Sequence, residues 1–272
     1  MANIAIVRVF VSVIAFTVFA VLANSTAVHA QSIDDGATSW HQKTSVEEEP
    51  SAENWVGGEG YRRAASLYSG VTWSPFSNLR QDGLRIRAIT GQGMYSYAGG
   101  DYHGTSRFID LLLGWQLSKG GTTIKVFGGT ALTSNTILPF DPSTQIQGNA
   151  RGIKGVIEIW HNWNPKIWSS LDLSQTSSHA ITSAQFRTGW RLDDPAWSVG
   201  PEAGVIAFSD QNFDVRSRTY IPRLGLFVRY EDLTYEFTIS GGVSSEVTRP
   251  VGHQATVQPR MGYATVQYLN RF

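Results

Sequence analysis

The sequence predicts an all-β chain. The expected fold is a transmembrane antiparallel outer-membrane β-barrel of about twelve strands, with ten as the alternative, preceded by a signal peptide. Three observations predict it. Apolar and polar residues alternate with period two over long runs, the apolar runs end in Trp or Tyr, and the chain closes on an aromatic residue, Phe272. Such alternation marks strands with two unlike faces.

The C-terminal hairpin shows the pattern. Tyr220, Pro222, Leu224, Leu226, Val228 and Tyr230 share one phase, and Arg223, Gly225, Phe227, Arg229 and Glu231 share the other. The next run sets Leu233, Tyr235, Phe237, Ile239 and Val243 against Thr234, Glu236, Thr238 and Ser240. A soluble sandwich would bury the apolar face and expose the charges. Here the charged phase carries Arg and Glu in the middle of long strands, and the apolar phase is capped by Tyr220 and Tyr230, as it is by Trp190 and Trp197 elsewhere. Ten residues at about 3.4 Å each, tilted near 45°, rise roughly 24 Å. That matches the apolar band of about 25 Å, flanked by aromatic girdles, of outer-membrane barrels. In "GYATVQYLNRF", Ala264, Val266, Tyr268 and Phe272 stay in one phase; Asn270 breaks it, and Pro222 calls for a bulge.

The elements follow in order. Residues 1–30 hold one early cation, Arg8, an apolar run from Val9 to Ala23 and a Val28-His29-Ala30 cleavage site, which reads as a signal peptide. Residues 31–55 are polar and acidic without periodicity and read as a disordered periplasmic leader. Residues 56–272 form the barrel. Strands are expected near 66–76, 83–95, 106–118, 121–134, 150–163, 167–176, 182–192, 196–208, 216–230, 233–246 and 258–272, with a twelfth near 54–64. Short connections at 119–121, 164–166, 193–195 and 231–232 alternate with longer ones at 96–105, 135–149, 177–181, 209–215 and 247–257. Short turns belong to the periplasm and long loops to the exterior. The lumen-facing charges are then Arg85, Arg87, Lys125, Lys154, Glu158, Arg187, Arg191, Glu202, Arg223, Arg229 and Glu236. With Phe127 and Trp160 they would fill most of a moderately wide lumen and pair across it.

Composition removes several function classes. Lys and Arg number 22 and Asp and Glu 22, so no basic excess points to nucleic acid. There is no Cys, which excludes disulfide scaffolds and thiolate metal sites and fits an exported chain. His103 and His253 fall in separate external loops, and no cofactor or metal is expected. One set of residues could form a catalytic pair: His161, on the lipid phase, with Ser169 or Ser170 on the next strand, as in a lipid hydrolase. The simpler reading is an interfacial His beside an aromatic belt, and no catalytic residue is assigned.

Two stretches carry a family resemblance. "LYSGVTWSPFSNLRQDGLRIRAITGQGMYSY" (67–97) and "VGPEAGVIAFSDQNFDVRSRTYIPRLGLFVRY" (199–230) resemble the "SPF…DG" and "GPE-G" hairpins of the cellulose biosynthesis protein BcsS family. Size, leader and aromatic C-terminus agree. The resemblance implies a non-enzymatic accessory barrel in the outer membrane of a Gram-negative bacterium. Its partners would be outer-membrane lipid and cellulose, or other components of the cellulose synthesis machinery. A general small-solute channel and a purely structural barrel are the alternatives.

Overall fold

A computed structural model of the 272-residue chain describes residues 49–97, 100–142, 144, 146–211, 216–250, 256–257 and 261–272. The expected signal peptide (1–30), most of the expected leader and His253 lie outside those residues.

Fourteen strand segments make one antiparallel sheet: β1 (Ala52–Tyr61), β2 (Ala64–Trp73), β3 (Gly83–Tyr97), β4 (Tyr102–Lys119), β5 (Thr122–Leu138), β6 (Gly148–Asn164), β7 (Ile167–Thr176), β8 (Ile181–Arg191), β9 (Trp197–Gln211), β10 (Arg216–Glu231), β11 (Tyr235–Ser244), β12 (Val247–Pro250), β13 (Thr256–Val257) and β14 (Met261–Arg271). Segments β11 and β12 lie end to end along β10, in one continuous register. Likewise β14 pairs β11 and β13 pairs β12. The fourteen segments are therefore twelve barrel strands. The sheet closes where β14 pairs with both β11 and β1, and the Phe272 carbonyl accepts the amides of Ser51 and Ala52. Closure leaves no sheet edge, which a membrane-spanning sheet cannot tolerate.

The twelfth strand begins at Ala52, inside the stretch read as the end of the leader, so the leader boundary at residue 55 is corrected. The strand itself was expected near 54–64; the acidic side chains Glu53 and Glu59 obscured where it starts, because their alternation with Val56, Gly58 and Gly60 lacks a strong apolar phase. Pro222 is also corrected. The β9–β10 register runs through it without a bulge. Instead the ladder on its other side is interrupted between β11 and β12, at Ser245 and Glu246. Proline has no amide to give that side; its carbonyl still accepts the Ser245 amide at 3.2 Å. Pro201 does the same to the β8–β9 ladder, whose pairs stop at Arg187–Glu202 and resume at Trp190–Val199.

Burial is inverted relative to a soluble sheet. The outward phase holds exposed Leu111, Leu113, Ile153, Leu224 and Leu226, whereas Arg85, Arg87, Asp110, Arg187, Glu202 and Arg229 are buried. Across β9, β10 and β11, Trp197 meets Tyr230 edge-on at 5.0 Å and Tyr230 stacks on Tyr235 at 5.5 Å, forming part of an aromatic girdle at the end that holds Phe272. Turns at that end are tight: Gly120, at φ +59, makes the two-residue β4–β5 turn, a left-handed position that favours glycine. The exception is the nine-residue strap 74–82 between β2 and β3.

Candidate functional site

The site is the barrel lumen, assembled from the polar phase of every strand. Contacts between strands that are not neighbours locate it, since only the interior joins them.

At the Phe272 end, the strap is tied to lumen side chains. Arg85, fully buried, donates from Nη1 to the hydroxyls of Ser74 (2.7 Å) and Ser77 (3.2 Å), and from Nη2 to the carbonyls of Asn78 (3.2 Å) and Gln81. Gln116 on β4 donates to the Leu79 carbonyl at 2.9 Å. The Leu79 amide donates to the Pro50 carbonyl and the Ser74 amide to that of Ser51, at 2.8 Å each. The strap thus joins the ends of β1, β3 and β4. Nearby, Arg229 pairs with Glu236 (2.7 Å) and Glu231 (3.2 Å), and Arg271 pairs with Glu236 at 3.4 Å. Arg191 donates to the Asn162 side chain (2.8 Å) and the Pro165 carbonyl (3.1 Å).

Midway, rings and ions interlock. Trp160 and Trp168 stack at 4.1 Å, Phe227 lies 5.4 Å from Trp168, and the Arg229 guanidinium sits 4.5 and 5.0 Å from the two indoles. Trp168 is 1 % exposed because its ring lies on Gly189, where a Cβ would approach the indole to 2.3 Å. Arg87 on β3 reaches Glu158 on β6, with Nη2 3.1 Å from Oε2; it also donates to Thr72 and lies 3.9 Å over Phe127. Lys125 on β5 meets Glu53 on β1 at 3.6 Å. Glu202 on β9 accepts from Arg187 (2.9 Å), Ser240 (2.8 Å) and Tyr263 (2.8 Å). Arg187 also donates to Gln267 at 3.2 Å, across the barrel.

Toward the opposite mouth, Arg223 pairs with Glu59 at 3.2 Å, and Lys154 pairs with Asp110. Three tyrosines then line the wall: Tyr95 stacks on Tyr97 at 6.2 Å, and Tyr97 on Tyr102 at 5.1 Å. Tyr95 covers Gly104, and the Tyr97 hydroxyl donates to Asp141 at 2.6 Å.

All eleven charges singled out in the sequence take part in these contacts. Sequence reasoning missed their partners Glu53, Glu59 and Asp110, and also Asp172, which stands opposite Glu158 in the β6–β7 register. Period two was present in Glu53, Trp55, Gly57, Glu59, Tyr61, but the first two fell in the presumed leader.

The His161–Ser pair is partly assembled. His161 and Ser169 are cross-strand partners. The His161 Nδ1 shares a hydrogen bond with the Thr122 hydroxyl at 2.7 Å, and the Ser169 hydroxyl accepts from Trp163 Nε1 at 2.9 Å. No hydrogen bond between His161 and Ser169 appears among the described residues, so the imidazole is not placed as a base for that hydroxyl. Among the described residues no cluster of three metal-ligating side chains occurs.

Comparison with solved structures places the fold among outer-membrane barrels. An outer membrane channel from Pseudomonas putida F1 superposes with a TM-score of 0.51 at 11% identity, over 82% of this chain and 96% of that one. LpxR from Salmonella typhimurium gives 0.47 at 11% identity, over 81% and 100%. The KdgM porin in complex with disordered oligogalacturonate gives 0.36 at 10% identity, over 81% and 99%. No curated protein matches the chain. The profile of the family "Cellulose biosynthesis protein BcsS" matches residues 54–272, nearly the whole barrel, and the chain belongs to that family.

Proposed function

We propose that this chain is a non-enzymatic accessory barrel of the Gram-negative outer membrane that serves cellulose export or its organisation at the cell surface. Family membership supplies the pathway. The observation that carries the mode of action is the filled lumen. Trp168, Phe127 and Phe227 are 1–2 % exposed, and ion pairs join β3 to β6, β5 to β1 and β10 to β1. Buried ion pairs are costly to break singly, and close-packed interiors resist opening. A channel for free solutes needs an open path that this packing opposes. The working surface is then the mouth away from Phe272, where the ladder Tyr95, Tyr97 and Tyr102 presents ring faces of the kind that pack on the apolar faces of sugars.

The test is genetic and electrical. Deleting the gene is expected to lower or disorganise surface cellulose, measured by dye binding and fibre imaging, with restoration by the intact gene. Normal cellulose in the deletion strain would defeat the proposal. Purified barrel in a planar bilayer is expected to give no steady conductance; stable open channels would favour the channel reading instead.

A further inference from the structure

We propose that Arg107 and Arg151 form a site for the phosphate groups of a phosphorylated glycolipid in the outer leaflet. The inference rests on the outer-membrane reading but not on the cellulose role.

Along β4 the outward phase runs Leu117, Trp115, Leu113, Leu111, Ile109, all more than half exposed, and then changes to exposed Arg107. Along β6 it runs from Ile157 through Ile153 and changes to exposed Arg151. Arg107 stands 12 residues along its strand from Lys119, and Arg151 stands 13 from Asn164, so both reach the same height above the Phe272 end. From Leu117 to Arg107 the rise is about 24 Å at the usual strand rise and tilt. The apolar band of such barrels is about 25 Å tall. Both cations therefore mark the outer rim of the lipid-facing wall.

The two are also close in the sheet. Arg107 pairs with Ser134, and Arg151 pairs with Leu132, so only β5 separates them. Strand spacing and a two-residue offset put their Cα atoms about 12 Å apart, within reach of two extended arginine side chains closing on one ligand. Gln92, Arg107, Ser134 and Asn149 form one cross-strand row, which adds neutral donors beside the guanidinium groups.

Charge completes the argument. The paired strand carboxylates Glu53, Glu59, Asp110, Glu158, Glu202 and Glu236 all meet cations inside the lumen. Among the described residues no carboxylate lies within 4.0 Å of Arg107 or Arg151. A cation at the edge of hydrocarbon with no protein acid beside it calls for an anion from outside. Arginine binds phosphate through paired N–H groups. A lipid fits better than a free ion, because Ile109, Leu132 and Ile153 lie just below to receive acyl chains. The arrangement recurs on β10, where exposed Arg218 stands 13 residues from Glu231, 5.9 Å over the Tyr220 ring, opposite Arg249 in register.

The test is native mass spectrometry of the purified, folded barrel in detergent with three probes: bisphosphorylated lipid A, its dephosphorylated form and inorganic phosphate. Wild-type barrel is expected to retain lipid A at least tenfold more strongly than the dephosphorylated form, and inorganic phosphate is expected not to displace it. The R107Q/R151Q double variant, checked for the heat-modifiable gel mobility of a folded barrel, is expected to lose that preference. Equal retention of both lipids by wild type, an unchanged preference in the folded double variant, or full displacement by inorganic phosphate would each overturn the proposal. The wild-type comparison stands even if the double variant fails to fold. Normal lipid selectivity alongside normal cellulose in the deletion strain would sink the cellulose role and leave this site intact.

Discussion

Arg187 and Glu202 face each other across the β8–β9 ladder, Nε 2.9 Å from Oε2, and Glu202 holds the Ser240 and Tyr263 hydroxyls as well. One carboxylate from the "GPEAG" stretch thereby ties β9 to β8, β11 and β14. Removing it leaves a buried guanidinium uncompensated. Glu202→Ala is expected to cost about 3–5 kcal/mol, read as a lower urea midpoint of the folded barrel by tryptophan fluorescence. Glu202→Gln keeps two hydroxyl partners and is expected to cost less. A midpoint unmoved by Glu202→Ala would show that the network does not brace the barrel.

The seat of Trp168 on Gly189 gives a steric test. A methyl group there would collide with the indole, whereas Gly128 opens on free space outside. Gly189→Ala is expected to destabilise by about 1–3 kcal/mol through forced repacking and to shift tryptophan emission. Gly128→Ala serves as the control and is expected to change neither. Equal effects of the two would remove the ring-on-glycine account.

Arg85 is the strap's main tether. Arg85→Ala strips the Ser74 and Ser77 hydroxyls and the Asn78 and Gln81 carbonyls of their donor. At about 1–3 kcal/mol for each buried group left unpaired, the strap should loosen before the barrel unfolds. Faster proteolytic cleavage within 74–82 and new flickering conductance in planar bilayers are the expected results. An Arg85→Ala barrel as silent and as protease-resistant as wild type would mean that other contacts close this end.

His179 predicts a pH dependence confined to the opposite mouth. It lies in the short 3-10 turn Ser178–Ala180, outside the strands, in a left-handed conformation at φ +58. Asn135 Nδ2 lies 3.0 Å from its Nε2 and 3.0 Å from the Ile146 carbonyl, so it donates to both and Nε2 must be unprotonated. Burial holds the imidazole below its ordinary value of 6.5. A base depressed in the folded state binds fewer protons than in the opened state, so the loop is fully stable above pH 6.5 and weakens as pH falls below it. The protection of residues 177–181, taken relative to the intrinsic exchange rate at each pH, is expected to fall from pH 7 to pH 5, and His179→Gln is expected to flatten that slope. Exchange that tracks only the intrinsic chemical rate in wild type would rule the switch out.

Much of this architecture was legible in the chain. The run from Tyr220 to Tyr230 assigns each residue to lipid or lumen because side chains alternate strictly along a strand. The eleven charges were singled out for the same reason. What period two cannot carry is partnership. Arg87 and Glu158 lie 71 positions apart, and which lumen acid meets which base depends on strand order, register and shear. The first strand was expected near 54–64, and its start at Ala52 escaped because half its outward phase is glycine. The strap escaped because "SPFSNLRQD" has the composition of an ordinary turn, and only Arg85 and Gln116, reaching it from two strands, bind it to the barrel end.

By itself the sequence determined the alternation, the inward direction of charge and the aromatic-capped apolar wall, because these follow from local geometry and hydrophobicity residue by residue. The tertiary structure decided how the lumen is filled and that Arg107 and Arg151 stand two strands apart at one height. Those relations exist only once twelve strands close at a fixed tilt, which sets distances between side chains that the chain keeps far apart.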